Sequence, residues 1–173
     1  MAAKSTSFVA NWRGHSMQAD LWTFAVTLYQ RPGVTDDYLA LQDDCGANVC
    51  LLLCGGWLER RSVACTPQRL KTLETIAVQW SASVVEPLRS LRRQWREVAQ
   101  RDPQLAQLRE AVKGLELQAE KVLLERLEQA CKAWPASTQP IFWLEALLPE
   151  HEASARMDDR RALHRLRAAA SDA

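Results

Sequence analysis

No stretch of this 173-residue chain is apolar for long enough to cross a membrane: the longest run, Val49 to Leu58, covers ten residues and contains two glycines, where a span requires about 18 to 20. The N-terminal MAAKSTSFVANWRGHS holds no apolar segment of the kind that forms a signal-peptide core. The chain therefore reads as a soluble, cytoplasmic protein with no membrane span. Alternating runs of β-branched residues bounded by hairpin turns are also nearly absent, which argues against sheet-built folds and leaves an all-α class. Catalytic and cofactor signatures are missing in turn. There is no HExxH, no GxGxxG and no P-loop, which removes the common metalloprotease and nucleotide sites. His15, His151 and His164 are scattered, without the serine or cysteine context of a hydrolase. Paired C-x2-C and His-x3-His elements are lacking too, so a zinc site has no ligand set.

The five cysteines are an odd number, with Cys45, Cys50, Cys54 and Cys65 clustered and Cys131 apart. They read as reduced thiols rather than a disulfide framework. Cys50 and Cys54 lie one turn apart and could offer two thiolates to a soft metal, but buried free cysteine packs as a small hydrophobe, and that reading is preferred.

What is present is a dense series of helix signals. A chain of this length suits one domain, since about 70% of its unfolded surface can be buried. Leu21, Phe24, Ala25 and Leu28 predict a helix over about Met17 to Gln30 with Ser16 as N-cap, ended by Pro32-Gly33. Thr35 is placed as N-cap of a second helix from about Asp36 to Asp44, closed by Gly46. Asn48 caps a third helix through Arg60 that is apolar on nearly every face, and so central. Thr66-Pro67 opens a fourth, and Pro87 should kink or break it. Asp102-Pro103 opens a long helix over about 103–134, whose apolar positions 105, 108, 112, 115, 119 and 122 follow a short heptad-like pattern. Ile141 to Leu148 form a last core helix. The expected fold is a single-domain bundle of about six or seven helices: residues 1–149 make one helical domain, and 150–173 a charged, alanine-rich tail, frayed or disordered.

Three features invite a functional reading. Asp36, Asp37, Asp43 and Asp44 line the second helix. The first two suit a helix N-terminus, whereas the last two oppose the macrodipole and call for a partner, an arginine or amide or else Mg2+. Gly55-Gly56 inside an apolar helix costs about 1 kcal/mol per residue relative to alanine, which implies close approach of a neighbour, under Trp57 or Trp22, rather than a ligand cavity. Finally, the net charge of +1 hides an asymmetry: residues 87–101 carry five arginines against Glu97. Arg89, Arg92, Arg93 and Arg96 form the candidate partner-binding face, because a guanidinium fork grips carboxylates and phosphates bidentately. The plainer alternative is a solvated face paired with the acidic second helix or with Glu110, Glu116 and Glu120. Trp95, in phase with Leu88 and Leu91, reads as core rather than as a stacking platform.

The motifs LWxFAVTLYQRPGV, LALQDDCGANVCLLLCGGWL and VVEPLRSLRRQW, taken in order over about residues 21–96, resemble an uncharacterised proteobacterial family of short all-helical cytosolic proteins that carries a domain-of-unknown-function label. The resemblance implies a bacterial cytosolic protein and brings no catalytic or binding residue with it. Cys50 stands where that family more often has a polar residue such as asparagine.

These features favour a non-enzymatic protein-interaction or regulatory module that uses the basic face or the acidic second helix. The competing reading is a Mg2+-dependent enzyme or ligand-binding protein with the acidic helix 36–44 lining a cleft, and nucleic-acid binding stands third. Thermal melting separates the first two. If Asp43 and Asp44 form ion pairs, millimolar Mg2+ or Mn2+ leaves Tm unchanged. A rise that disappears in Asp43→Asn/Asp44→Asn would establish a cation bound to the folded state.

Overall fold

A computed structural model describes residues 19–139, 141–148 and 157–171, without the side chains of 43–45 and 157–160. The described residues form an all-α bundle and contain no strand. Its helices are α1 (Leu21–Tyr29), α2 (Val34–Cys45), α3 (Val49–Arg60), α4 (Pro67–Trp80), α5 (Glu86–Gln94), α6 (Pro103–Cys131), α7 (Trp143–Ala146) and α8 (Met157–Ser171). No described helix is long and apolar enough to cross a membrane.

Local chemistry explains most boundaries. The Asn48 side chain accepts from Leu51 N at 3.1 Å and starts α3. Thr66 accepts from Arg69 N at 3.4 Å, with Pro67 behind it. Asp102 accepts from Gln104 N and Leu105 N at 3.0 and 3.1 Å, capping the 29-residue α6. Two expected caps differ. Ser16 lies outside the described residues, and α1 begins at Leu21 because Asp20 accepts from Thr23 N at 2.7 Å. In α2 the cap position is Gly33, at φ 79°, and Thr35 sits within the first turn. Glycine tolerates that left-handed turn between α1 and α2 where other residues resist it. Gly46 closes α2 at φ 64°, as expected.

Pro87 does not break the helix. A π-turn, Ser81–Val85, joins α4 to α5, and the Glu86 N–H reaches back to Ser81 O. The wide turn accommodates a residue that can neither donate nor pack against the preceding carbonyl.

From Cys50 to Leu58 every residue of α3 is buried, and α1, α2, α4, α6, α7 and α8 all pack against it. Tryptophan indoles tie distant segments to this core: Trp57 Nε1 donates to Ala19 O at 3.0 Å, Trp80 Nε1 to Ala119 O at 2.8 Å and Trp143 Nε1 to Val63 O at 2.7 Å.

Two expectations need correction. The charged stretch after residue 150, expected as a frayed or disordered tail, contains α8, which buries Ala162, Leu163, Leu166 and Ala170 against α2 and α3. Arg165 pairs with Asp37, and Arg167 bridges Glu59 and Glu145, both at 2.6 Å. The second correction is the phase of α6. Leu108 and Leu115 are 57% and 50% exposed, while Glu116 is 7% exposed. The inward face runs through Val112, Glu116, Ala119, Leu123 and Leu127.

At Gly55 the pair does mark a close approach, made by the α7 segment rather than by Trp22 or Trp57, and at Gly56 it does not. A Cβ on Gly55 would lie 2.8 Å from Leu147 Cδ1 and 3.3 Å from Trp143 Cβ, whereas one on Gly56 would meet Ala170 Cβ at an ordinary 3.6 Å. Opposite outcomes follow. Gly56→Ala is expected to raise stability by up to about 1 kcal/mol through helix propensity, and Gly55→Ala to lower it, because overpacking costs about 1–3 kcal/mol. Paired melting curves check the order, at about 2–4 °C per kcal/mol.

Candidate functional site

The arginines of α5 and of the turn that follows it divide between two surfaces. Arg89 and Arg92 turn toward α6. Arg89 donates to Glu116 at 2.9 Å, to Glu120 at 2.8 Å and to Glu86 at 2.8 Å. Arg92 donates to both oxygens of Glu116, at 2.5 and 3.2 Å. Arg109 adds a bond to the Arg92 carbonyl at 3.1 Å. Arg93 and Arg96 are exposed, and neither has an ion-pair partner among the described residues. The face expected to contact a partner is thus half internal: two of its arginines hold α5 to α6, and two remain outward.

Burial pushes the Glu116 carboxyl up, but the guanidinium hydrogen bonds of Arg92 and Arg89 outweigh it and hold the pKa below the usual carboxylate range. Glu120 has the opposite balance. Burial raises its pKa, and the charge of Arg89 only partly offsets the rise.

Between this wall and the α1–α2 pair lies a cleft of about 1060 Å³. Val49, Cys50, Leu53 and Leu124 form its floor, while Trp22, Val26, Tyr29 and Leu39 stand on the α1–α2 side. On the other side are Arg89, Arg92, Arg93, Arg96 and Arg109, with Glu116, Leu117 and Glu120. A smaller polar chamber of about 360 Å³ adjoins it, lined in part by Gln42, Asn48, Ser81, Glu86 and Arg89. The π-turn brings Ser81 there, where its hydroxyl accepts from Asn48 Nδ2 at 3.1 Å.

The acidic helix lines this cleft through Leu39 and Gln42. Of its aspartates, Asp36 is exposed and Asp37 is buried beneath Arg165, which neutralises it. The side chains of Asp43 and Asp44 lie outside the described residues, as do His15 and His151. Among the described residues, no group of three His, Cys, Asp or Glu is placed to hold a metal ion.

Cys50, Cys54, Cys65 and Cys131 are free thiols. Burial pushes the Cys50 thiol up to about 12, so at neutral pH it packs in the cleft floor as an uncharged group. Cys54 Sγ lies 3.9 Å from Cys131 Sγ, both buried.

Reasoning from sequence missed Glu116 and Arg109 as cleft residues. A signal existed for Glu116: it is in phase with Val112, Ala119, Leu123 and Leu127, and an acid on an apolar stripe implies a buried cationic partner.

The chain belongs to the family described as Protein of unknown function (DUF2390), whose model matches residues 20–127. The match takes in every cleft residue from Trp22 to Leu124 and ends before α7 and α8. No curated protein and no solved structure matches the chain.

Replacing Glu116 by glutamine removes the negative charge shared by two partly buried arginines and turns one of its two acceptor oxygens into a donor, at an expected cost of about 1–3 kcal/mol. The pH dependence has a definite sign. Glu116 has a depressed folded-state pKa, so its stabilising contribution is present above the ordinary glutamate value of 4.5 and is lost as pH falls through the folded value. Glu120, with a raised pKa, contributes stability at acid pH that is lost as pH rises through its folded value. Urea midpoints measured from about pH 5 to pH 3 should fall less steeply in Glu116→Gln than in the wild type.

Proposed function

We propose that this family member is a non-enzymatic interaction module of the bacterial cytoplasm that docks another protein in the cleft between α1–α2 and α5–α6, held by Arg93 and Arg96. The reading rests on one observation: an open cleft with an apolar floor whose cationic wall keeps two arginines outside the internal ion-pair network. Exposed apolar side chains on both rims, Val26, Leu39 and Leu117, support it, because contiguous exposed apolar surface rimmed by polar groups is characteristic of contact sites. Free thiols suit a reducing compartment. The chemistry supports binding over catalysis, since the buried Cys50 thiol is held protonated and Glu116 is already engaged by Arg89 and Arg92.

A ligand-binding protein is the second reading, favoured by Leu39 and Gln42 of α2 on the cleft wall. Mg2+ would be its cofactor through Asp36, Asp43 and Asp44, since Asp37 is committed to Arg165. Nucleic acid is a weaker fit: phosphate binding calls for spread cationic surface, and here the floor beneath the arginines is apolar.

The double reversal Arg93→Glu/Arg96→Glu tests the proposal. Both side chains are exposed and outside the internal network, so helicity is expected to be unchanged and Tm to move by no more than about 2 °C. Cross-linking in the native cell, read by mass spectrometry, is expected to lose its principal adduct. Retention of that adduct by the folded double variant would overturn the docking role. Arg92→Glu is the contrasting control, because it sets a carboxylate against Glu116 and should destabilise the fold.

A further inference from the structure

Resting on that docking reading, we infer that the occupant of the cleft is an acidic amphipathic helix of a partner protein. The internal ion pairs supply the pattern. Arginines fall at 89, 92 and 93 on α5 and at 96 in the turn that follows it, so that 89 and 92 form one pair three residues apart and 93 and 96 another. The inner pair is matched by a neighbouring helix carrying glutamates one turn apart: Glu120 meets Arg89, and Glu116 meets both Arg89 and Arg92. The outer pair, Arg93 and Arg96, borders the cleft without an equivalent among the described residues. A second helix with acids at i and i+3 or i+4 would repeat on the outer row what α6 does on the inner one.

The apolar surface has the same character. Val26 of α1, Leu39 of α2 and Leu117 of α6 are 39%, 46% and 56% exposed around a floor of Val49 and Leu53. An amphipathic helix lays its i, i+3 or i+4 and i+7 side chains into a groove of this kind. The cations, by contrast, are two separate groups three residues apart in sequence, Arg93 near the end of α5 and Arg96 in the turn beyond it. A lipid with one anionic head would engage one of them and leave the other uncompensated. A row of carboxylates at helical pitch engages both, and charge-assisted guanidinium pairs of this geometry are the strong ones.

The probe is a dye-labelled synthetic helix of about 16 residues, long enough to keep helical character, with leucines in an i, i+4, i+7 stripe and two flanking glutamates four residues apart. Fluorescence anisotropy is the readout. The acidic peptide is expected to bind wild type about tenfold or more tightly than its glutamate-to-lysine counterpart, with the gap narrowing as salt rises. Arg93→Glu/Arg96→Glu should invert that preference, and Leu39→Asp should weaken both peptides. Circular dichroism verifies folding, and Arg93→Gln/Arg96→Gln, which is expected to abolish the preference without inverting it, serves if the reversal does not fold. Equal binding of the two peptides, or a preference that survives the folded variants, overturns the inference. So does tighter arginine-dependent binding to vesicles containing an anionic phospholipid or to a duplex oligonucleotide. If the peptides fail while the cellular adduct still depends on Arg93 and Arg96, the helical occupant alone is wrong. If the adduct is also independent of them, the docking reading falls with it.

Discussion

A helix without a polar face can persist in water only when other elements enclose it, and α3 sets that condition for the whole molecule. Its residues from Cys50 to Leu58 are all buried, so six other helices must reach it. Two devices let them do so in little space. Gly55 removes a side chain that would hold α7 away. Satisfied indole N–H groups then let Trp57, Trp80 and Trp143 bring large apolar area into the core without leaving an unpaired donor. The enclosing layers leave a cleft over the first turns of α3, where Val49, Cys50 and Leu53 form its floor. The candidate site is therefore a consequence of how the enclosing layers part over the central helix.

Electrostatics governs the layer above that floor. No residue of α5 is buried, so burial of whole side chains does little to fix its position. Glu116 does more, receiving Arg89 and Arg92 from α5 while sitting on the inward stripe of α6. An ion pair of this kind contributes little net free energy, since desolvation offsets much of the attraction, but removing either partner leaves an uncompensated charge. Its effect is positional. With Arg89 and Arg92 held inward, Arg93 and Arg96, the latter just past the end of α5, are left at the cleft wall. The same logic operates at the opposite side of α3, where Arg165 on Asp37 and Arg167 between Glu59 and Glu145 seat α8.

Local chemistry made much of this protein legible before any fold was known. The all-α class, the central helix capped by Asn48, the Thr66-Pro67 and Asp102-Pro103 starts and the Gly46 stop are all short-range effects, decided within about one turn of the residues involved. Where a cap was misplaced, a competing local group won: Asp20 over Ser16, and Gly33 over Thr35. The arginine face was also visible, because clustering along one stretch needs no tertiary information.

What the sequence could not settle was which side of each helix faces inward when polar and apolar signals compete. In α6 a leucine pattern through 108 and 115 pointed one way, and the structure turns the helix so that Glu116 is buried and those leucines are exposed. The reason is that a carboxylate prefers water alone but tolerates burial once two guanidinium groups from another helix meet it, and that meeting depends on residues more than twenty positions away. The same holds for α8, whose charged sequence reads as a tail until Asp37, Glu59 and Glu145 accept its arginines and α2 and α3 cover its alanines and leucines. The sequence by itself determined the central place of α3, the caps of α3, α4 and α6 and the Gly46 stop. Only the tertiary structure decided the division of the arginines between an internal lock and an outward wall, because that division rests on long-range pairing of charges that are individually favourable in either place.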